Sequence, residues 1–140
     1  MDIKIFQSLP EDAASIRVEV FVDEQGFNEE FDSDDKYAIH FVGYIDDEAV
    51  ATSRVLKHDG ESFLIGRIAV KKQFRGKGFG SLIVNAAEEH IKSIGGRKVF
   101  IHSQMRAAEF YEKIGYTYEG GYCHLNEENL IVMEKFPGRK

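Results

Sequence analysis

The stretch Arg67-Ile-Ala-Val-Lys-Lys-Gln-Phe-Arg-Gly-Lys-Gly-Phe-Gly-Ser81 runs from an apolar, strand-like segment through three closely spaced glycines into a helix. Gly76, Gly78 and Gly80 allow positive φ and close backbone approach, and a helix beginning at about Ser81 points its unpaired N–H groups into the turn. Such a turn suits a phosphate; the plain alternative is a ligand-free glycine turn between strand and helix. Two well-known phosphate loops fail on spacing. A Walker A loop needs glycine at position 71, which is Lys71, and a dinucleotide fingerprint starting at Gly76 needs glycine at 81, which is Ser81.

Outward from this stretch, Ile3 and Ile5 begin a first strand, and Ser8-Leu-Pro-Glu11 reads as a capping box for a helix to about Val22. Ala38–Ile45, Ala49–Lys57 and Ser62–Val70 read as three antiparallel strands, with turns at Asp46-Asp47-Glu48 and His58-Asp59-Gly60. On the other side, Leu82, Ile83, Ala86, Ala87, Ile91 and Ile94 fall at helical spacing before Gly95-Gly96. A short buried strand at Arg97–His102, a helix at Gln104–Ile114 and strands at Tyr116–Gly120 and Asn129–Glu134 complete the order, with a polar excursion through Cys123–Glu128. Interleaved strands and helices without a boundary predict one α+β domain over residues 1–140.

Composition narrows the function. Of 140 residues, 24 are acidic and 18 basic, giving a net charge of −6; duplex nucleic acid wants clustered Lys and Arg instead. The acidic balance favours cationic substrates or simply solubility. A single cysteine, Cys123, excludes an internal disulfide and a multi-cysteine zinc site. Met1–Leu9 is too short and polar for a secretory signal, and no run approaches the roughly 20 apolar residues of a membrane span, so the expected location is the cytoplasm.

The hexapeptide Gln73-Phe-Arg-Gly-Lys-Gly78 resembles the Q/R-x-x-G-x-G/A signature of the GNAT superfamily of acyl-CoA-dependent N-acetyltransferases, and Phe110-Tyr-Glu-Lys-Ile-Gly-Tyr116 resembles the ending of that family's helix after the fifth strand. The element order is similar over nearly the whole chain. The resemblance implies a three-layer α/β/α fold, with a mixed, mostly antiparallel sheet of six to seven strands splayed between the fourth and fifth. It implies that acetyl-CoA is the co-substrate, its pyrophosphate held by the loop amides of Arg75, Gly76, Lys77, Gly78, Phe79, Gly80 and Ser81 after Gln73. The backbone of Ile68, Ala69 and Val70 would hold the pantetheine arm. Ser103, Gln104 and Arg106 lie where the family contacts that arm, although the asparagine common there is missing.

The resemblance further implies that Tyr111 protonates the departing thiolate, a role suited to a phenol protonated at neutral pH; the plain alternative is a packed tyrosine. Many members carry a glutamate base on the fourth strand, but Phe63–Val70 holds no carboxylate. Glu24 is the first candidate base, His102 and His124 the next, and solvent is a further option. Val20-Phe-Val-Asp-Glu-Gln25 with Glu30, Asp32, Asp35 and His40 resembles the ElaA and YjcF type, while His124–Asn129 departs from it. The expected acceptor is a small or peptide amine. The competing expectation is a catalytically silent acyl-CoA-binding module, and homodimers are frequent in the family.

Neither metal nor covalent chemistry is expected. An EF-hand loop from Asp32 needs Gly at 37 and Glu at 43, where Tyr37 and Gly43 stand; the Asp32–Asp35 cluster reads as solvated capping or as attraction for a cation. Neighbours such as Cys123 and His124 rarely face each other in an extended segment. His58 and His90 read as surface residues.

Overall fold

The computed structural model describes residues 1–27, 31–125 and 128–137, with side chains described outside 120–129. Seven strands form one sheet in the order β1-β2-β3-β4-β5-β7-β6. They are β1 (Asp2–Phe6), β2 (Ile39–Ile45), β3 (Glu48–Asp59), β4 (Ser62–Val70), β5 (Lys98–Gln104), β6 (Thr117–Leu125) and β7 (Glu128–Lys135). All neighbours are antiparallel except β4 and β5, whose parallel pairing runs only from Ser62 opposite Lys98 to Ile65 opposite Ile101. The remainder of β4, Gly66 to Val70, diverges and leaves a cleft. This is the GNAT fold, with the expected splay between the fourth and fifth strands.

Two faces of the sheet are covered by helices. Alternate residues of a strand point to opposite faces, and on β2 Phe41 packs under α2 (Phe79–Ser93) while Val42 packs under α1 (Glu11–Arg17). The short α3 (Ala108–Lys113) joins the α2 side through Ala108 and Tyr111.

A bulge opens the cleft. Thr52 pairs with Ala69 and Arg54 with Gly66, so Ser53 alone stands opposite both Arg67 and Ile68. One extra residue reverses the facing of everything beyond it. Phe63 and Ile65 lie in the α2-side core before the bulge, Ile68 and Val70 pack against it afterwards, and Ala69 turns to the α1 side. Arg67 carries the cost as a non-glycine residue at φ 50°, roughly 1–3 kcal/mol of local strain.

Several local expectations need correction. Ser8 caps nothing: the helix is entered through Pro10 without a side-chain cap, two positions later than a capping box at Ser8 requires, and Glu11 and Asp12 supply the negative charge its first turn favours. That helix continues as a π-helix over Val18–Glu24. α2 starts at Phe79 with Gly78 as its cap at φ 84°, and Gly80 has an ordinary φ; its lack of a side chain matters because a Cβ there would meet the Phe110 ring at 3.1 Å. Leu82 and Ile94 are exposed, whereas Val84 and Glu88 are buried. Lys98 begins β5, and a 3-10 turn over Met105–Ala107 precedes α3, which is shorter than the predicted helix. The excursion at Cys123–Glu128 is largely strand, since β6 reaches Leu125 and His124 stands opposite Asn129. The side chains of Cys123 and His124 lie outside those described, as do residues Glu30, Asn126 and Glu127. His58 sits on β3 rather than in a turn, edge-on to Phe100 at 5.0 Å, and His90 is half-buried against Phe41.

Within the acidic cluster at Asp32–Asp35, Asp32 and Asp34 are exposed, in keeping with solvated capping, whereas Asp35 is buried among arginines. Asp32 and Asp35 form a capping box around a 3-10 turn at Ser33–Lys36. Asp35, buried, accepts from Arg17 at 2.9 and 3.1 Å and from Arg54 at 2.9 Å. Asp32 accepts from Arg54 at 2.8 and 3.2 Å and from Arg67 at 3.1 Å. Burying Arg17 and Arg54 demands such partners. The cluster fastens the segment after Gln25 to α1 and β3, and it steadies the strained Arg67. Among the described residues no helix is long and apolar enough to cross a membrane.

Candidate active site in the cleft between β4 and β5

The cleft has a volume of about 500 Å³. Its β4 wall is Ile65 to Val70, its β5 wall Ile101, His102 and Gln104, and one end is the loop Arg75, Gly76, Gly78, Phe79 and Gly80. Tyr111 and Phe110 from α3 line it beside that loop, and Val20 and Phe21 from the first helix, with Gln25 and Phe27 just after its end, line it as well.

The loop has the properties of an anion site. Gly76 at φ 77° and Gly78 at φ 84° adopt left-handed backbone, and the space where a Cβ would stand is open at both. The free N–H groups of the first turn of the 15-residue helix α2 point the same way, with the positive end of its dipole. Lys77 is exposed, 5.8 Å over the Phe74 ring. These residues fit a pyrophosphate: backbone amides at a helix start, room without side chains, and cations beside them. Gln73 is exposed outside the cleft lining, and Ser81 lies one position past it.

Tyr111 is 8% exposed and still borders the cleft. The rings of Phe110 and Tyr116 meet it edge-on at 5.1 and 6.1 Å, and its carbonyl accepts from the Tyr116 N–H at 3.0 Å. Burial pushes its phenol well above the ordinary value, so it stays protonated. Tyr116 is itself anchored by donating to buried Glu88 at 2.6 Å, and Lys135 donates to the same carboxylate at 3.0 Å.

The candidate bases separate. Glu24 accepts two hydrogen bonds from Arg75, at 2.6 and 2.7 Å, while the Arg75 Nε–H donates to the Val70 carbonyl at 2.9 Å. The hydrogen bonds from Arg75 hold the Glu24 pKa below the usual range, the wrong direction for a base. His102 lies on the cleft wall with its side chain still exposed to solvent; partial desolvation and then the nearby His58 lower its pKa, a shift toward the neutral imidazole. Ser103 points the other way: its buried hydroxyl donates to the Gln104 carbonyl at 2.8 Å. Gln104 does reach the cleft, donating to the Gln25 side chain at 3.0 Å.

Sequence reasoning missed Phe21 and Leu130 in the lining; it also missed the pairing of Glu24 with Arg75, because 51 residues separate the partners and only the fold joins them. Among the described residues no group of three or more His, Cys, Asp or Glu side chains is arranged to hold a metal ion.

Residues 5–116 match the Acetyltransferase (GNAT) family. The chain belongs to this family, and acyl transfer is the class of chemistry that membership brings. A Bacillus subtilis (strain 168) protein named "Putative acetyltransferase BSU40680" is 39% identical over 130 residues, covering 88% of this chain and 86% of its own. The crystal structure of Escherichia coli ElaA superposes with a TM-score of 0.83 at 25% identity, covering 96% of this chain and 98% of that one. An aminoglycoside 6'-N-acetyltransferase complexed with coenzyme A shares the fold at 18% identity, with a TM-score of 0.77 and coverage of 100% and 99%.

Proposed function

We propose that the protein transfers an acetyl group from acetyl-CoA to a primary amine by direct attack in a ternary complex. The observation that carries this reading is the continuous cleft joining an open glycine loop at a helix start to a buried, protonated tyrosine. Bound acetyl-CoA supplies a thioester carbon for the amine nitrogen to attack, and the C–S bond then breaks. The loop amides from Arg75 to Ser81 hold the pyrophosphate, and the backbone of Ile68, Ala69 and Val70, freed from β5 by the splay, holds the pantetheine arm. N–H groups of that same segment polarise the thioester carbonyl and stabilise the oxyanion. Tyr111 gives its phenolic proton to the sulfur. His102, neutral and on the opposite wall, takes the proton released by the amine, directly or through water. Glu24, ion-paired as it stands, is displaced from that role.

The second reading is a binding module that holds acyl-CoA without transferring it. It is favoured by one observation: among the described residues lining the cleft there is no carboxylate. Release of free thiol from acetyl-CoA with a panel of amines separates the two.

The test of the coenzyme site is calorimetric titration with acetyl-CoA of the wild type, Gly78→Ala and Gly78→Glu. Both variants bear the same strain at φ 84°, so their difference isolates charge and bulk in the loop. Wild-type binding, largely kept in Gly78→Ala and abolished in Gly78→Glu, supports the site. A wild type that binds no acetyl-CoA overturns it.

A further inference from the structure

The end of the first helix spans the cleft through two adjacent side chains. Glu24 holds Arg75 of the glycine loop through two hydrogen bonds of 2.6 and 2.7 Å. Gln25 accepts from Gln104 at the end of β5 at 3.0 Å. The helix is thus tied to both sides of the splay, at the residues where it changes from π-helical turns to loop. Three of the five guanidinium N–H groups of Arg75 are used within the protein, two by Glu24 and the Nε–H by the Val70 carbonyl, so its terminal Nη1/Nη2 edge, the one suited to a bidentate anion, is held by Glu24. Yet the residue borders the anion loop, and a phosphate there would meet the same guanidinium.

We propose that the Glu24 carboxylate and the coenzyme's phosphate compete for Arg75, so that coenzyme binding opens the Glu24 half of this strap. The inference rests on the coenzyme reading given above. Phosphate is a strong bidentate partner for arginine, and Glu24 and Arg75 are about one-third and two-fifths exposed, so the pair is accessible to exchange. The negative charge on Glu24 makes it a pseudo-ligand, occupying the cation until the anionic substrate arrives. Once released, the carboxylate stands beside the wall formed by Phe21 and Gln25 and attracts an ammonium ion there.

Competition and mere support predict opposite signs. If Glu24 only braces the loop, removing its charge weakens coenzyme binding; if it competes, removal strengthens it. Coenzyme A is titrated calorimetrically at low salt into the wild type, Glu24→Gln, Arg75→Gln and the double variant, with thermal melts to confirm folding. The expected result is binding about two- to fivefold tighter in Glu24→Gln, the scale set by a partly exposed ion pair. Arg75→Gln binds more weakly than the wild type, and the double variant matches Arg75→Gln. Unchanged or weaker binding in Glu24→Gln overturns the proposal, and so does a gain that persists without Arg75, because that is general charge repulsion. A wild type that binds no coenzyme A overturns the coenzyme reading itself, a result distinct from binding that ignores Glu24.

Discussion

Tyr111 is packed as a core residue and, in the proposed reaction, is also the acid. Two aromatic rings hold it edge-on, and burial keeps its proton in place. A phenylalanine retains the ring and the packing and deletes the proton, so Tyr111→Phe separates the two roles. The expected outcome is a drop in kcat of roughly 100-fold, the lower end of what a positioned acid contributes, with acetyl-CoA affinity nearly unchanged. Steady-state kinetics beside calorimetry checks this; full turnover in a folded Tyr111→Phe removes the phenol from the reaction. Glu24 carries the complementary lesson. A carboxylate near a cleft invites a catalytic role, but its partner decides its protonation, and two hydrogen bonds from Arg75 move its pKa away from that of a base.

The bulge in β4 is the element on which the cleft depends. Because Arg67 occupies left-handed backbone at φ 50°, the substitution at this position matters through its backbone preference. Glycine relieves the strain while losing the contact to Asp32, so Arg67→Gly should alter stability by no more than about 1 kcal/mol. A β-branched residue is excluded from that conformation. Arg67→Val should therefore cost about 2–3 kcal/mol and weaken acetyl-CoA binding as β4 is drawn back toward regular pairing. Urea denaturation and titration measure both, and equal behaviour of the two variants would show that the bulge is held by other contacts. The alternation of Phe63 and Ile65, followed by Ile68 and Val70, was visible in the sequence as an apolar run, but an apolar run does not reveal a change of face. The glycine loop and the Phe110–Tyr116 motif were legible because local backbone and helix requirements write themselves into adjacent residues. Pairings such as Gln25 with Gln104 and Asp35 with Arg54 were not, since nothing local distinguishes a partnered polar side chain from a solvated one.

At the scale of the whole molecule, the buried ionic cluster links α1, the segment after it, β3 and, through Arg67, the cleft wall. Its response to acid follows from linkage. The hydrogen bonds and charges of Arg17 and Arg54 outweigh the cost of burial and hold the Asp35 carboxyl down to about 2, below its ordinary 3.8. A carboxyl whose folded pKa is depressed contributes stability above the unfolded pKa and loses it as pH falls through the folded one. The contribution, about 2 kcal/mol, should disappear between about pH 4 and pH 2. Asp32, held down chiefly by its hydrogen bonds from Arg54, adds loss of the same sign. His40 acts earlier. Its ring, buried with Nε2 3.0 Å from the Asp35 carbonyl, has a pKa lowered by desolvation below 6.5. The unfolded chain therefore takes up a proton first, and stability begins a shallow decline as pH drops below about 6.5. Urea denaturation from pH 7 to pH 2 should show that shallow decline followed by a steeper one. In Asp35→Asn, Arg17 and Arg54 lose a buried counter-charge, so stability at pH 7 should fall by about 3–5 kcal/mol while the steep acid step flattens. A variant that keeps the full step below pH 4 would place the acid sensitivity in other carboxylates; loss of the step assigns it to Asp35 and its two arginines.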